Sequence, residues 1–327
     1  RESAGGIVSY DADASCGSAV FVLGGRLFRT DVAHGTTREL SITGGAFDAR
    51  LDPTGARVAY VHGPSLRVVD DSGDRVVVAP SSADGDEVTW GSAEFVAAEE
   101  MHRTRGYWWG PEGDRLLVER VDNAPVATWW IASPVDPWSE PQRIRYPKAG
   151  TDNAAVSLAI VGLDGSGVDV DWARGEFEYL CDASWAPHAR PMLVVQTRDQ
   201  RTVVVLDVDP VTGATTELHR QYDTSWVELV PGAPAWVGDR LLTVEDRDDT
   251  RRVCIDGEPV TPAGVQVRRV IEVAGDDVYV AATTDPTEVH VARCGADGAF
   301  RWLTEEPGVH GAAFGGATRG ESFTTIG

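Results

Sequence analysis

The chain has 327 residues, 42% hydrophobic and 24% charged, a balance that excludes both a disordered polymer and a membrane-embedded one. It carries 51 acidic against 29 basic residues, a formal net charge of -22. A surface of that sign repels nucleic-acid phosphates and anionic lipid, and it favours a cationic ligand such as the free amino terminus of a peptide.

The start, Arg1-Glu2-Ser3-Ala4-Gly5-Gly6, lacks the pattern of a signal peptide. No apolar run reaches the roughly 18 residues that a membrane helix needs. Cys16, Cys181, Cys254 and Cys294 are widely scattered without a CxxC pair, which argues against a zinc site and against a disulfide framework. All four are expected to be reduced, small, buried hydrophobes, and the compartment expected on this reading is the cytoplasm.

What recurs along the chain is a short turn feeding a β-rich run. Leu51-Asp52-Pro53-Thr54-Gly55 leads into Val58-Ala59-Tyr60, and Trp109-Gly110-Pro111-Glu112-Gly113 leads into Leu116-Leu117-Val118. Trp185-Ala186-Pro187-His188-Ala189 precedes Met192-Leu193-Val194, and weaker copies begin at Trp236-Val237-Gly238-Asp239 and Gly275-Asp276-Asp277. Proline and glycine set the turn dihedrals, and an alternating strand starts at once. A further strand often follows, such as Leu66-Arg67-Val68-Val69 or Val203-Val204-Val205-Leu206, and ends in an Asp-rich turn with glycine.

The turn positions 55, 113, 189, 238 and 275 are set apart by about the 40 to 50 residues of a four-stranded propeller blade, with insertions. The longest gap, from 113 to 189, must hold an extra blade or an arm. Clean helical periodicity is absent, which removes the TIM barrel. The fold class predicted is all-β, a propeller of seven or eight four-stranded blades forming a single domain over residues 1–327. The stretch from Pro147 to Trp172 departs from the repeat, with Val156 to Val161 followed by the tight turn Asp164-Gly165-Ser166-Gly167, and it is read as a blade edge with a projecting excursion.

The chain carries no visible catalytic apparatus. The nearest match to the serine-hydrolase elbow, Gly320-Glu321-Ser322-Phe323-Thr324, has the wrong fifth residue, and only three residues follow, too few to supply a later Asp and His. No H-E-x-x-H pattern occurs, and lone histidines such as His188 and His290 read as loop or satisfied core groups. Gly24-Gly25, Gly44-Gly45 and Gly315-Gly316 read as turns without a P-loop lysine. No catalytic residue, metal ligand or cofactor is therefore assigned.

The densest unusual stretch runs from Val88 to Trp109. Ala97 to Arg103 holds good helix formers and is predicted to make a short helical insertion that carries Glu99-Glu100. Two adjacent carboxylates can share one ammonium through charge-assisted hydrogen bonds, with Arg103 and Arg105 helping to keep them ionised. Charge alone is weak evidence here: 51 acids in 327 positions give roughly eight adjacent acidic pairs by chance.

The surroundings of the pair are more specific. Glu94-Phe95-Val96-Ala97-Ala98-Glu99-Glu100-Met101 followed by Gly106-Tyr107-Trp108-Trp109 resembles the double-glutamate motif of the dipeptidyl peptidase IV family. Tyr146-Pro147-Lys148-Ala149-Gly150 and Tyr179-Leu180-Cys181-Asp182-Ala183-Ser184-Trp185-Ala186 resemble its downstream motifs, in order, and Arg198 to Arg201 and Trp226-Val227-Glu228 fit the same pattern. The resemblance implies the N-terminal propeller of a serine dipeptidyl peptidase, which gates substrate and recognises its amino terminus ahead of a C-terminal α/β-hydrolase domain. It implies that Glu99 and Glu100 bind the α-amino group of a peptide substrate from which a dipeptide is released after Pro or Ala. It also implies a homodimer, with the excursion between Val156 and Trp172 as its arm. Trp108 and Trp109 are expected to pack the blade. The family's propeller arginine has no match, and Leu229-Val230 stand where some members have an aromatic.

Two other classes fit a propeller. One is a non-enzymatic protein-interaction scaffold whose face docks partners, and the other is a glycosidase using separated carboxylates.

Overall fold

The computed structural model describes residues 6–7, 9–315 and 318–324. The chain divides into two compact units, residues 1–220 and 221–327.

In the first unit, β1 (Tyr10–Ala12), β2 (Ser18–Leu23), β3 (Arg26–Asp31) and β4 (Thr36–Glu39) form an antiparallel meander. The hairpin between β2 and β3 turns on Gly24 and Gly25 at φ 58° and 77°, the two left-handed residues that a type I′ turn requires. A second meander follows, made of β5 (Phe47–Leu51), β6 (Val58–His62), β7 (Ser65–Asp70) and β8 (Gly73–Val78). In the third sheet, β9 (Val88–Trp90) and β10 (Tyr107–Trp109) both pair with β11 (Arg115–Asp122), and the chain between them carries α1 (Phe95–Glu100). After β11 the chain makes a separate hairpin of β12 (Thr128–Ile131) and β13 (Gln142–Arg145), then completes the sheet with β14 (Ala155–Gly162) and β15 (Gly167–Val170). The fourth meander is β16 (Tyr179–Ser184), β17 (Met192–Gln196), β18 (Thr202–Val208) and β19 (Thr215–Tyr222).

The second unit repeats the plan. One meander holds β20 (Ala235–Val237), β21 (Arg240–Arg247), β22 (Thr250–Ile255) and β23 (Glu258–Pro259). The next holds β24 (Gln266–Ala274), β25 (Asp277–Thr283), β26 (His290–Gly295) and β27 (Phe300–Trp302), and β28 (Val309–Gly315) pairs with β29 (Thr318–Thr324). Gly316, in the predicted turn Gly315-Gly316, lies outside the described residues.

Each sequence repeat sits at the same place, between the first and second strands of a sheet: β5 and β6, β10 and β11, β16 and β17, β20 and β21, β24 and β25. The best formed is the turn after Leu51. Asp52 is 1% exposed, and its carboxylate accepts from the Thr54 hydroxyl at 2.6 Å and the Arg57 amide at 2.9 Å. Arg57 also donates to the Gly113 carbonyl at 3.2 Å, tying this turn to its counterpart in the third sheet. The runs Leu66–Val69 and Val203–Leu206 are third strands, since the residues before each turn are themselves a strand.

Strand alternation then builds the core between consecutive sheets. On β10, Tyr107 and Trp109 join Ala59, Val61, Leu66 and Val68 of the second sheet. Trp108, on the opposite face, joins Leu180, Leu193 and Val195 of the fourth. Both Trp residues are buried, so they pack sheet against sheet as expected. A separate core in the second unit gathers Val237, Leu242, Val253, Val267, Val278 and Val280.

Two expectations need correction. Val156 to Trp172 is no excursion: it forms β14, a tight turn and β15, paired from Leu158–Val170 to Val161–Gly167. The projecting piece is the hairpin β12–β13, which fills the long gap between turn positions 113 and 189 with an arm. The consecutive buried residues Leu158 to Val161 of β14 are what a strand covered on both faces carries. The hairpin carries its large apolar groups outward, with Trp138 94% and Val135 93% exposed. The second correction concerns Cys16, which is exposed in the β1–β2 turn, whereas Cys181, Cys254 and Cys294 are buried; all four are free thiols.

A buried polar network crosses the second sheet. The Tyr60 hydroxyl donates to Asp74 at 2.8 Å and Arg67 reaches the same carboxylate at 2.8 Å. Burial raises the Asp74 carboxyl, but the donors Arg67, Thr43 and Tyr60 outweigh it and hold it at about 2. The group is ionised well below its unfolded pKa of 3.8, so its contribution is complete above about pH 4 and is lost as pH falls towards 2. Asp74→Asn is expected to lower unfolding free energy by about 2 kcal/mol at pH 7. It should also flatten the acid limb between pH 4 and 2, as denaturant titrations at several pH values would show.

Candidate functional site

The insertion that carries α1 opens and closes on one residue. The Glu119 carbonyl accepts from the Gly91 amide at 2.9 Å, and the Glu119 amide donates to the Gly106 carbonyl at 2.8 Å. Just inside these feet, Ser92 and Arg105 form an isolated antiparallel bridge. The strands run so close here that a Cβ on Gly106 would lie 2.5 Å from the Ser92 backbone. The glycine of the Gly106-Tyr107-Trp108-Trp109 motif is thus required by packing.

Glu94 starts the helix. Its carboxylate accepts from the Val96 and Ala97 amides, each at 2.6 Å, satisfying two otherwise unpaired donors of the first turn. Burial raises the Glu94 carboxyl above its ordinary range against these hydrogen bonds. The helix ends where His102 takes φ 57° and the amides of Met101 and Arg103 turn back to the Ala97 carbonyl at 3.2 and 3.0 Å. The helix therefore spans Phe95–Glu100, two residues earlier than helix propensity alone predicts, because the Glu94 cap fixes its start.

Glu99 and Glu100 occupy the last turn of α1 and are exposed. Neither carboxylate makes a hydrogen bond or ion pair with a described residue. Burial is confined to the other side of the helix, where Ala97 is 0% exposed and α1 packs against β16.

Arg103 does not serve the pair as the sequence reading expects. It is 6% exposed and its guanidinium forms an ion pair with the fully buried Glu119. It also donates to the Arg105 carbonyl at 2.7 Å and the Leu180 carbonyl at 2.9 Å, and lies 5.9 Å over the Trp108 ring. Burial pushes the Glu119 carboxyl up, and the attraction of Arg103 works against it. Sequence reasoning missed Glu119 and the capping role of Glu94. The sole signal for Glu119 is a lone acid in the apolar run Leu116-Leu117-Val118-Glu119-Arg120-Val121.

The other sequence candidates are spread through the fold. Asp182 follows a bulge in β16 and keeps contact with solvent, yet crowding by protein raises its carboxyl. Tyr146 stacks edge-on against Phe95, the first residue of α1, at 5.4 Å and against Trp129 at 5.6 Å. Arg198, in the β17–β18 turn, pairs with Glu178 at 2.9 Å. Trp226, in the second unit, is 60% exposed. Ser322 lies mid-strand in β29 opposite Gly311, which is not the strand–turn–helix setting of a nucleophile. His188 sits in a turn at φ 62°, and His290 is held by Glu288 at 2.9 Å and Thr304 at 3.3 Å. Among the described residues no group of three His, Cys, Asp or Glu is arranged to hold a metal ion.

Repeated four-stranded antiparallel meanders define the class of the fold: an all-β, β-propeller-like domain. The fold matches the crystal structure of Porphyromonas gingivalis dipeptidyl peptidase 4 with a TM-score of 0.80 at 18% identity, covering 94% of this chain and 47% of that one. The family model for the dipeptidyl peptidase IV (DPP IV) N-terminal region matches residues 22–314, and the chain belongs to that family.

Among relatives, mouse dipeptidyl peptidase 8 is 25% identical over 243 residues, 62% of this chain and 27% of that protein. The probable dipeptidyl-aminopeptidase B of Pyrenophora tritici-repentis is 27% identical over 217 residues, 57% of this chain and 24% of that protein. Rat inactive dipeptidyl peptidase 10 is 24% identical over 144 residues, 42% of this chain and 18% of that protein. The matches thus span about a quarter or less of these relatives' length.

Proposed function

We propose that this chain is the substrate-gating propeller domain of a serine dipeptidyl peptidase, with Glu99 and Glu100 holding the free amino terminus of the peptide. The observation that carries the reading is the placement of two unpaired carboxylates at the exposed end of a helix fixed at both ends. An ammonium group fits that arrangement, since it offers three donors to two acceptor-only groups. The net charge of -22 favours the approach of such a cation. The peptide chemistry, release of a dipeptide after Pro or Ala, would be supplied by nucleophilic serine catalysis in a C-terminal α/β-hydrolase domain. A single domain over residues 1–327 and a cytoplasmic location belong to the same reading.

Full-length protein is expected to release the chromophore from Gly-Pro and Ala-Pro p-nitroanilides, whereas the 327-residue chain alone releases none. Serine-inhibitor-sensitive turnover by the isolated chain would contradict this division of labour. An inert full-length protein would favour the scaffold reading, and one relative is itself named as inactive.

The homodimer in this reading uses the hairpin β12–β13. Its base is fixed on the third sheet by Glu87, which pairs with Arg143 at 2.7 Å and Arg145 at 2.8 Å. Its outer part exposes Trp130, Ile131, Val135 and Trp138, an apolar surface of the kind that marks an interface. Trp130→Glu combined with Trp138→Glu should convert the dimer to monomer in sedimentation velocity, and an unchanged dimer would place the contact elsewhere.

A further inference from the structure

We infer that Arg103 is a positioning residue for the end of α1, and so for Glu99 and Glu100; its functional meaning rests on the amine-binding reading above. The insertion between Gly91 and Gly106 is joined to the sheet at its two feet by the Glu119 backbone. Those contacts fix where the insertion starts and ends, but not how the helix is held between them. Ala97 and the Phe95–Tyr146 contact hold the start and middle of the helix, and Arg103 supplies the polar constraint at its end.

Three acceptors on three segments converge on its guanidinium: the Glu119 carboxylate on β11, the Leu180 carbonyl on β16 and the Arg105 carbonyl in the return loop. The planar, always charged fork of arginine can satisfy all three at once, which a lysine ammonium on its single flexible stem does less rigidly. The Arg103 amide meanwhile bonds the Ala97 carbonyl inside α1 at 3.0 Å. One residue thus joins the helix backbone to two sheets. A buried ion pair is a weak source of net stability, because desolvation offsets most of the attraction. Its value here is geometric: Glu99 and Glu100 lie within four residues of Arg103 and have no described partner of their own to orient them.

The test uses the full-length protein with Arg103→Met and Glu119→Met together, since apolar replacement of both partners of a buried pair often preserves folding. The double variant should unfold near the wild-type midpoint. Its KM for Ala-Pro-p-nitroanilide should rise about tenfold while kcat changes less than about twofold. Backbone amides of residues 95–101 should exchange with deuterium at least about tenfold faster. Arg103→Lys, which keeps the charge but not the fork, should fall between wild type and the double variant in both readouts, and it carries the same test if the double variant does not fold.

A folded variant with wild-type KM and wild-type exchange overturns the proposal. Faster exchange combined with wild-type kinetics for Glu99→Gln and Glu100→Gln leaves the clamp standing and removes the amine-binding reading instead.

Discussion

On the proposed amine-binding role, replacing Glu99 or Glu100 by Gln in the full-length protein is expected to lower kcat/KM on a dipeptidyl substrate by about tenfold or more, with fold stability nearly unchanged. An ammonium held at about 3 Å, with the bound peptide excluding water from the two carboxylates, contributes a few kcal/mol, whereas a pair left in open solvent contributes roughly 0 to 1. One decade of rate corresponds to about 1.4 kcal/mol, so losing one carboxylate charge at the ammonium suffices. Stability should hold because both side chains are exposed and the contacts of α1 to the sheet run through Ala97 and Arg103. The effect should be much smaller on an N-acylated substrate, which presents no cation. Equal losses on both substrates would make the pair structural, and unchanged kinetics would make it one more chance acidic pair.

The largest stability effect is expected from Glu119→Ala. It leaves the Arg103 guanidinium buried without its counter-charge, and breaking a buried pair in this way costs roughly 3 to 5 kcal/mol. The Glu119 backbone would still hold Gly91 and Gly106, so the insertion stays attached while the cation beneath it is uncompensated. Chemical denaturation should show the loss as a shifted midpoint with little change in slope. The prediction concerns one partner only: removing both charges should cost far less. A Glu119→Ala variant as stable as wild type would mean that water reaches Arg103.

How much of this was legible in the sequence depended on how local the cause is. The Pro/Gly turns after Leu51, Trp109 and Trp185 act within a few residues, so strand starts and the repeat could be read directly. The helix with Glu99 and Glu100 was also visible, although its start was not: the cap depends on the buried Glu94 carboxylate, which sequence alone reads as one more acid. The sequence alone misplaces the projecting piece, because Val156 to Val161 followed by a Gly-rich turn looks like an excursion. Its true signal was the Trp129-Trp130-Ile131 run, followed by Pro134 and Pro137 and then a second short β-run, a pattern that reads as a hairpin with a long loop. The partner of Arg103 was beyond reach, because Glu119 lies 16 positions on and meets it only through the pairing of β11 with its neighbours.

The edge-on contacts of Tyr146 with Phe95 and Trp129 place an indole at the foot of the hairpin one ring away from the first residue of α1. Trp129 is 44% exposed, so its emission is sensitive both to solvent and to the ring beside it. It is thereby an intrinsic optical reporter on the helix that presents the paired glutamates, readable without labelling. A ligand that orders α1 should alter Trp129 emission, and Trp129→Phe would remove that component of the signal while keeping an aromatic ring beside Tyr146.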